Sequence, residues 1–250
     1  MYTLKKSLGQ HFLKDENICR KIVSALEERT FNQLLEVGPG GGALTKYLLK
    51  LSNVDFKAVE LDDEKVAFLE NTFPEIKHKI IHKNFLEIEQ PFQGKFTVIG
   101  NFPYNISTQI LFKVLEWKDD VECVIGMFQK EVAERAASKE GNKVYGVLSV
   151  LIQAFYDVEY LFDVHEKCFQ PPPKVKSAVI RLTPVQNKLD IQSEKAFFLL
   201  VKTAFNQRRK TLRNAVKSLF DAAILKDELF NKRAEQLTVE QFAALTFKMQ

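Results

Sequence analysis

One pattern recurs along this chain and limits what it can fold into. A short apolar run meets a polar turn, and a helical spacing of apolar residues usually follows. It appears in "QLLEVGPGGGALTKYLLK", "FKAVELDDEKVAFLEN", "KIIHKNFLEIE", "KFTVIGNFPYNISTQILFKVL" and "VECVIGMFQKEVAERAAS". Strands that alternate with helices build βαβ units, whose parallel strands need crossover segments and are covered on both faces. The expected fold class is therefore α/β, a sheet with helices on both faces. Ahead of the first unit, Asp15 suits an N-cap for a helix whose apolar side is Ile18, Ile22, Val23 and Leu26. After the last unit, "YGVLSVLIQAF" fits a helix, and "YDVEYLFDV" and "KSAVIRLTP" fit strands. Beyond Pro184 the strand signals stop, and helical patterns remain around residues 194–206, 210–220 and 239–247. The expected domains are 1–184 and 185–250, the second small, all-helical and basic.

Composition narrows the class further. With 46% hydrophobic and 27% charged residues the chain can bury a sizeable core. No run approaches the roughly 18 apolar residues of a membrane span. The opening "MYTLKKSLGQHFLKDEN" has charge but no apolar h-region, so a secretory signal is not expected. Cys19, Cys123 and Cys168 are odd in number and far apart, which argues against a disulfide framework or a zinc site. A reduced, cytoplasmic protein with no membrane partner is expected. The net charge of +4 is unevenly spread. Residues 184–250 hold 12 Lys+Arg and 7 Asp+Glu, whereas residues 1–183 hold 24 and 25. The excess centres on "KTAFNQRRKTLRNAVK", which contains Arg208, Arg209, Lys210 and Arg213 and no acid. Such a run favours polyanions through counterion release, although a solvated helix face would look similar.

The loop in "LLEVGPGGGALT" places Gly38, Gly40 and Gly42 between a strand and a helix, where backbone N–H groups can approach a ligand closely. The next strand ends in Glu60, 18 residues beyond Gly42, and a carboxylate there can accept both hydroxyls of a ribose. Dinucleotide enzymes and S-adenosylmethionine-dependent methyltransferases share that pair. The spacing G-P-G-G-G, with Pro39 removing an N–H, is poor for cradling a pyrophosphate. Glu36, just before the loop, would repel an anion and tolerate a cationic donor.

"VIGNFPYNIST" adds the third detail, because Asn101, Pro103 and Tyr104 close a strand on the carboxyl edge where such sheets bind ligands. The exocyclic amine of adenine is a weak nucleophile, its lone pair delocalised into the ring. An acceptor on Asn101 and a carbonyl held by Pro103 would grip its hydrogens, and Tyr104 would stack on the base. In "CFQPPPKVKSAV" the prolines stiffen the chain beside Phe169, a candidate second ring to sandwich the base; the alternative is a core anchor for that loop.

Taken together, "KKSLGQHFL", "EVGPGGG", "GNFPYNIST", "FQPPPKVKSAV" and "FNQRRKTLRN" closely resemble the ribosomal RNA small-subunit adenine dimethyltransferases, in collinear order from Lys5 to at least Phe220. The first and fourth motifs also occur, more loosely, in the erythromycin-resistance rRNA methyltransferases. The resemblance implies a Rossmann-like, S-adenosylmethionine-dependent methyltransferase sheet. It implies transfer of two methyl groups to N6 of each of two adjacent adenosines in a hairpin near the 3′ end of 16S rRNA, within an assembling small (30S) subunit. It places the donor site on His11, Leu13, Gly38, Glu60, Asn84 and Asn101, with Gly40 from the loop beside them. The target-base pocket falls on Asn101, Pro103 and Tyr104. No metal is required, and a monomer is expected. Asn84 stands where relatives commonly carry Asp, and Phe102 where Leu is usual. Within the fold, a large-subunit RNA dimethyltransferase is the nearest alternative. A non-catalytic ribosome-assembly factor and an NAD-dependent dehydrogenase are readings from other classes, and the intact Asn101-Pro103-Tyr104 speaks against the former.

Overall fold

The computed structural model describes residues 11–250. The "KKSLGQ" part of the first motif lies outside the described residues. Elements follow in chain order: β1 (Phe12–Leu13), α1 (Glu16–Glu27), β2 (Gln33–Val37), α2 (Thr45–Leu48), β3 (Asp55–Glu60), α3 (Asp63–Thr72), β4 (Ile80–His82), β5 (Phe96–Asn101) and α4 (Ser107–Glu116). Then come β6 (Val121–Gln129), α5 (Lys130–Ala137), α6 (Val147–Gln153), β7 (Tyr156–Val164), β8 (Phe169–Gln170), β9 (Ser177–Pro184), α7 (Glu194–Asn206), α8 (Leu212–Ala215) and α9 (Val239–Thr246). Two compact units result. One takes the described residues up to Ala133 together with Glu159–Pro184; the other takes Glu134–Val158 and Val185–Gln250.

The first unit is built on a seven-stranded sheet of order β4-β3-β2-β5-β6-β9-β7 with helices on both faces. Strands β2 to β6 pair in parallel, and β9 runs antiparallel to β6. The chain moves outward from β2 through β3 to β4, then returns to lay β5 on β2's other side. That reversal opens a crevice at the carboxyl ends of β2 and β5, where open α/β sheets bind ligands. The near-continuous apolar character of the strands follows from burial on both faces: Leu34, Leu35, Val98, Ile99, Val124 and Ile125 are fully covered. Asp15 caps α1, accepting from the backbone N–H of Asn17 and Ile18, and Ile22, Val23 and Leu26 turn inward as the spacing predicts. A two-residue ribbon pairs β1 with β8, Leu13 facing Phe169.

The second unit is helical around α7. Ser193 caps that helix through the Ala196 N–H, and Phe197, Leu200, Val201 and Ala204 are buried. Helices α6, α8 and α9 pack on it. Thr238 and Gln241 form a reciprocal capping box that starts α9. The patterns at 194–206 and 239–247 thus give α7 and α9. The pattern at 210–220 gives only the short α8, because the backbone leaves the helical region at Val216 and turns through residue 220. Among the described residues no helix is long and apolar enough to cross a membrane.

Candidate active site

A cleft in the first unit opens at the reversal between β2 and β5, bounded by the glycine loop, Glu60, Asn84 and the chain from Asn101 to Ile106. The loop leaves β2 with Gly38 and Gly40 at φ of 70° and 56°, a region that costs an L-residue strain and costs glycine almost none. Gly40 directs its N–H at the Glu60 Oε2, 3.1 Å away. The other Glu60 oxygen accepts from the N–H groups of Leu61 and Asp62 at 2.9 and 3.0 Å. A carboxylate offers about four acceptor sites. Three are satisfied by backbone, which fixes the group, and capacity remains for a hydroxyl from the cleft.

Glu36 behaves differently from the sequence expectation of a standing negative charge. Its side chain is 2% exposed and accepts from the Thr45 hydroxyl at 2.7 Å. Burial pushes its carboxyl up to about 8 from an ordinary 4.5. It is therefore protonated at neutral pH, and any preference for a cationic ligand rests on its oxygen dipoles. Stability carries the signature. Between roughly pH 5 and 8 the unfolded chain releases this proton and the folded chain keeps it, so folding stability falls as pH rises through that window. Glu36→Gln keeps an acceptor for Thr45 and should flatten the decline. Urea midpoints measured from pH 5 to 9 check this, and parallel pH profiles for the two proteins would refute it.

One wall of the cleft is assembled from three distant segments. Asn101 ends β5, and its Nδ2 donates to the His11 carbonyl at 3.0 Å. Oδ1 has no hydrogen-bond partner among the described residues, and Asn101 lines the cleft. Pro103 continues the same wall, and the Tyr104 hydroxyl pairs with the Ser177 hydroxyl. Burial raises the Tyr104 phenol above its ordinary value, so it stays neutral. His11 Nδ1 lies 3.0 Å from the Pro171 carbonyl, and its ring rests 5.4 Å from the Tyr104 ring, centroid to centroid. Ser177 carried no individual signal within "KVKSAV"; only the β6–β9 pairing, Gln129 facing Ser177, brings it to Tyr104.

Phe169 takes a different place from the one expected of a stacking ring. It is 1% exposed, packed into the hydrophobic core with Leu13 across the β1–β8 ribbon, and it does not line the cleft. The ring beside Tyr104 belongs to His11. Phe169 is a core anchor, held there by a pairing between residues too far apart in sequence to be read from spacing. Leu13 is buried and still borders the cleft. Asn84 also lines it and caps a short turn, its Oδ1 accepting from the Leu86 N–H at 3.1 Å and its Nδ2 donating to Glu87 at 2.8 Å.

Phe102, between Asn101 and Pro103, borders the cleft and is itself buried. Gly100 and Gly126 are register partners on β5 and β6, and its ring lies across the bare pair. A Cβ on Gly126 would come within 2.4 Å of this ring, and one on Gly100 within 2.7 Å. Phe128 closes the packing edge-on at 4.9 Å. The ring is thus held in apolar packing between two neighbouring strands.

In the second unit the basic run does not form one solvated helix face. Arg209 and Lys210 are exposed in the turn after α7. Arg208 is half-buried and donates to the Lys143 carbonyl, and Arg213 donates through Nε to the Leu225 carbonyl at 2.8 Å. Two cations of the four thus face solvent and two brace backbone.

The family model for ribosomal RNA adenine dimethylase matches residues 1–249. A relative from Cytophaga hutchinsonii, named ribosomal RNA small subunit methyltransferase A, is 53% identical over 247 residues, or 97% of this chain and 95% of its own. A solved dimethyladenosine transferase from Plasmodium falciparum matches with a TM-score of 0.77 at 23% identity, covering 93% of this chain and 94% of the other. The 23S rRNA methyltransferase ErmE matches with a TM-score of 0.73 at 23% identity, covering 95% and 99%. At that identity the two structures speak for the fold.

Proposed function

This chain belongs to the ribosomal RNA adenine dimethylase family, and from that premise we propose that it methylates N6 of two adjacent adenosines in a hairpin near the 3′ end of 16S rRNA. It is an rRNA adenine N6,N6-dimethyltransferase, and its methyl donor is S-adenosylmethionine. Its substrate is the assembling small (30S) subunit, on which it acts as a cytoplasmic monomer.

The residues of the cleft fit the donor. Glu60, immobilised by three backbone N–H groups and still able to accept, suits a ribose hydroxyl. Gly38 and Gly40 let the backbone close on the ligand, and Asn84, Leu13 and His11 border the same space. When bound, S-adenosylmethionine supplies an electrophilic methyl group on a sulfonium centre. The chain's own contribution is positioning. Asn101 Oδ1 accepts one hydrogen of the target amine, and the Pro103 carbonyl accepts the other as the Ser107 hydroxyl passes to its second acceptor, the Tyr104 carbonyl. That grip favours a pyramidal nitrogen with its lone pair directed away from the ring. Tyr104 stacks on the base, which must leave its own stack to reach the cleft.

One observation supports this reading: the Asn101 amide nitrogen donates to the His11 carbonyl, and the oxygen has no partner among the described residues, which leaves it for a ligand. The test is transfer of labelled methyl to unmethylated small subunits and, separately, to naked large-subunit RNA. Label in the former is expected. Its absence there, or label confined to large-subunit RNA, would overturn the assignment.

A further inference from the structure

In the second unit the loop Lys139–Val144 stands out, because it is exposed yet tied down on every side. Lys139, Gly141, Asn142 and Lys143 face solvent. The Gly141 N–H donates to the Glu235 carbonyl at 2.7 Å, and the Val144 N–H donates to the Asn142 side chain at 3.2 Å. Tyr145, at its end, is buried with its ring 6.0 Å from that of Phe205 on α7. The principal tie is Arg208. Its Nη2 donates to the Lys143 carbonyl and lies 3.5 Å from that of Asn142, while its Nε sits 3.9 Å from Glu235. One planar guanidinium therefore clamps the loop from the turn after α7, a bridge that a single-point ammonium cannot span.

We infer that this loop is a second RNA-backbone contact, with Lys139 and Lys143 as phosphate ligands and Arg208 as the residue that positions them. Lys139, Lys143, Arg209 and Lys210 are exposed and have no ion-pair partner among the described residues. The Arg208 clamp ties the Lys143 end of the loop to the turn that carries Arg209 and Lys210. Glu140 is the loop's one acid. A loop ordered before binding meets a polyanion without an ordering cost, unlike lysines on a mobile segment. The inference rests on the reading of this protein as an rRNA methyltransferase, and it corrects the view of Arg208 as a direct phosphate ligand.

The experiment is the salt dependence of binding to unmethylated small ribosomal subunits. Four proteins are compared: wild type, Lys139→Gln/Lys143→Gln, Arg209→Gln/Lys210→Gln, and Arg208→Lys. Each double variant should lower the slope of log affinity against log salt by about two, one for each phosphate no longer neutralised. Arg208→Lys conserves charge, yet it should lose slope as the loop variant does and expose the loop to limited proteolysis near Lys143. A wild-type slope in the loop variant would remove the loop from the interface. A wild-type slope in Arg208→Lys would remove the clamp. Both outcomes leave the assigned activity standing. A wild type with no salt-dependent affinity for small subunits would overturn that activity as well.

Discussion

Asn101→Ala is expected to lower the rate of methyl transfer by a factor on the order of 10²–10³, the effect seen when one preorganised polar group is removed from a reacting centre. The residue is held at the end of β5 with its nitrogen committed to the His11 carbonyl. On the proposed reading alanine deletes one acceptor for the target amine, and it frees the His11 carbonyl that had oriented the amide. Glu60 and its three backbone donors are untouched by the change. Donor affinity, measured by calorimetry, should therefore fall far less than single-turnover rate on small subunits. Equal losses in the two quantities would show that Asn101 serves the donor and not the base, and an unchanged rate would remove it from the chemistry.

Phe102→Ala is the largest expected effect on stability. The ring fills the space above a pair of facing glycines, and neither Gly100 nor Gly126 has a side chain that can move into the gap. Removing a fully buried phenyl group typically costs about 3–5 kcal/mol, the upper part of the range where the site cannot collapse. A site floored by two rigid strands belongs there. Thermal or urea unfolding should register a loss of that size, and Phe102→Leu, which keeps much of the fill, a fraction of it. A Phe102→Ala protein as stable as wild type would mean that the strands close over the void. Since Phe102 lies between Asn101 and Pro103, the leucine variant is the one suited to kinetics, where a small change is expected.

The fold was largely legible because its signals are local. Asp15 three residues before Ile18, the glycine loop after Val37, and the apolar spacings of α7 and α9 each follow from near neighbours in sequence. The cleft was legible for the same reason, since both of its walls begin at strand ends. What escaped depends on distant pairing or on desolvation. Phe169 looked free to stack until its partner Leu13 was known, 156 residues away. The protonation of Glu36 follows from burial that no spacing encodes. Arg208, Arg209, Lys210 and Arg213 look alike in sequence, and only the carbonyls of Lys143 and Leu225 separate those that brace from those that face solvent.

The reversal between β2 and β5 has a consequence for biogenesis. The glycine loop and Asn101 lie on neighbouring strands, but β3, α3 and β4 separate them along the chain. Neither wall has its counterpart until Leu34 is registered opposite Thr97, Leu35 opposite Val98 and Glu36 opposite Ile99. Parallel pairing across such a separation is slow, because chain entropy is lost before contacts repay it. A nascent or half-folded chain can therefore present the loop or Asn101, but not the two apposed. Catalytic competence arrives with completion of the sheet, so a chain that has failed to finish folding carries no working methyltransferase centre.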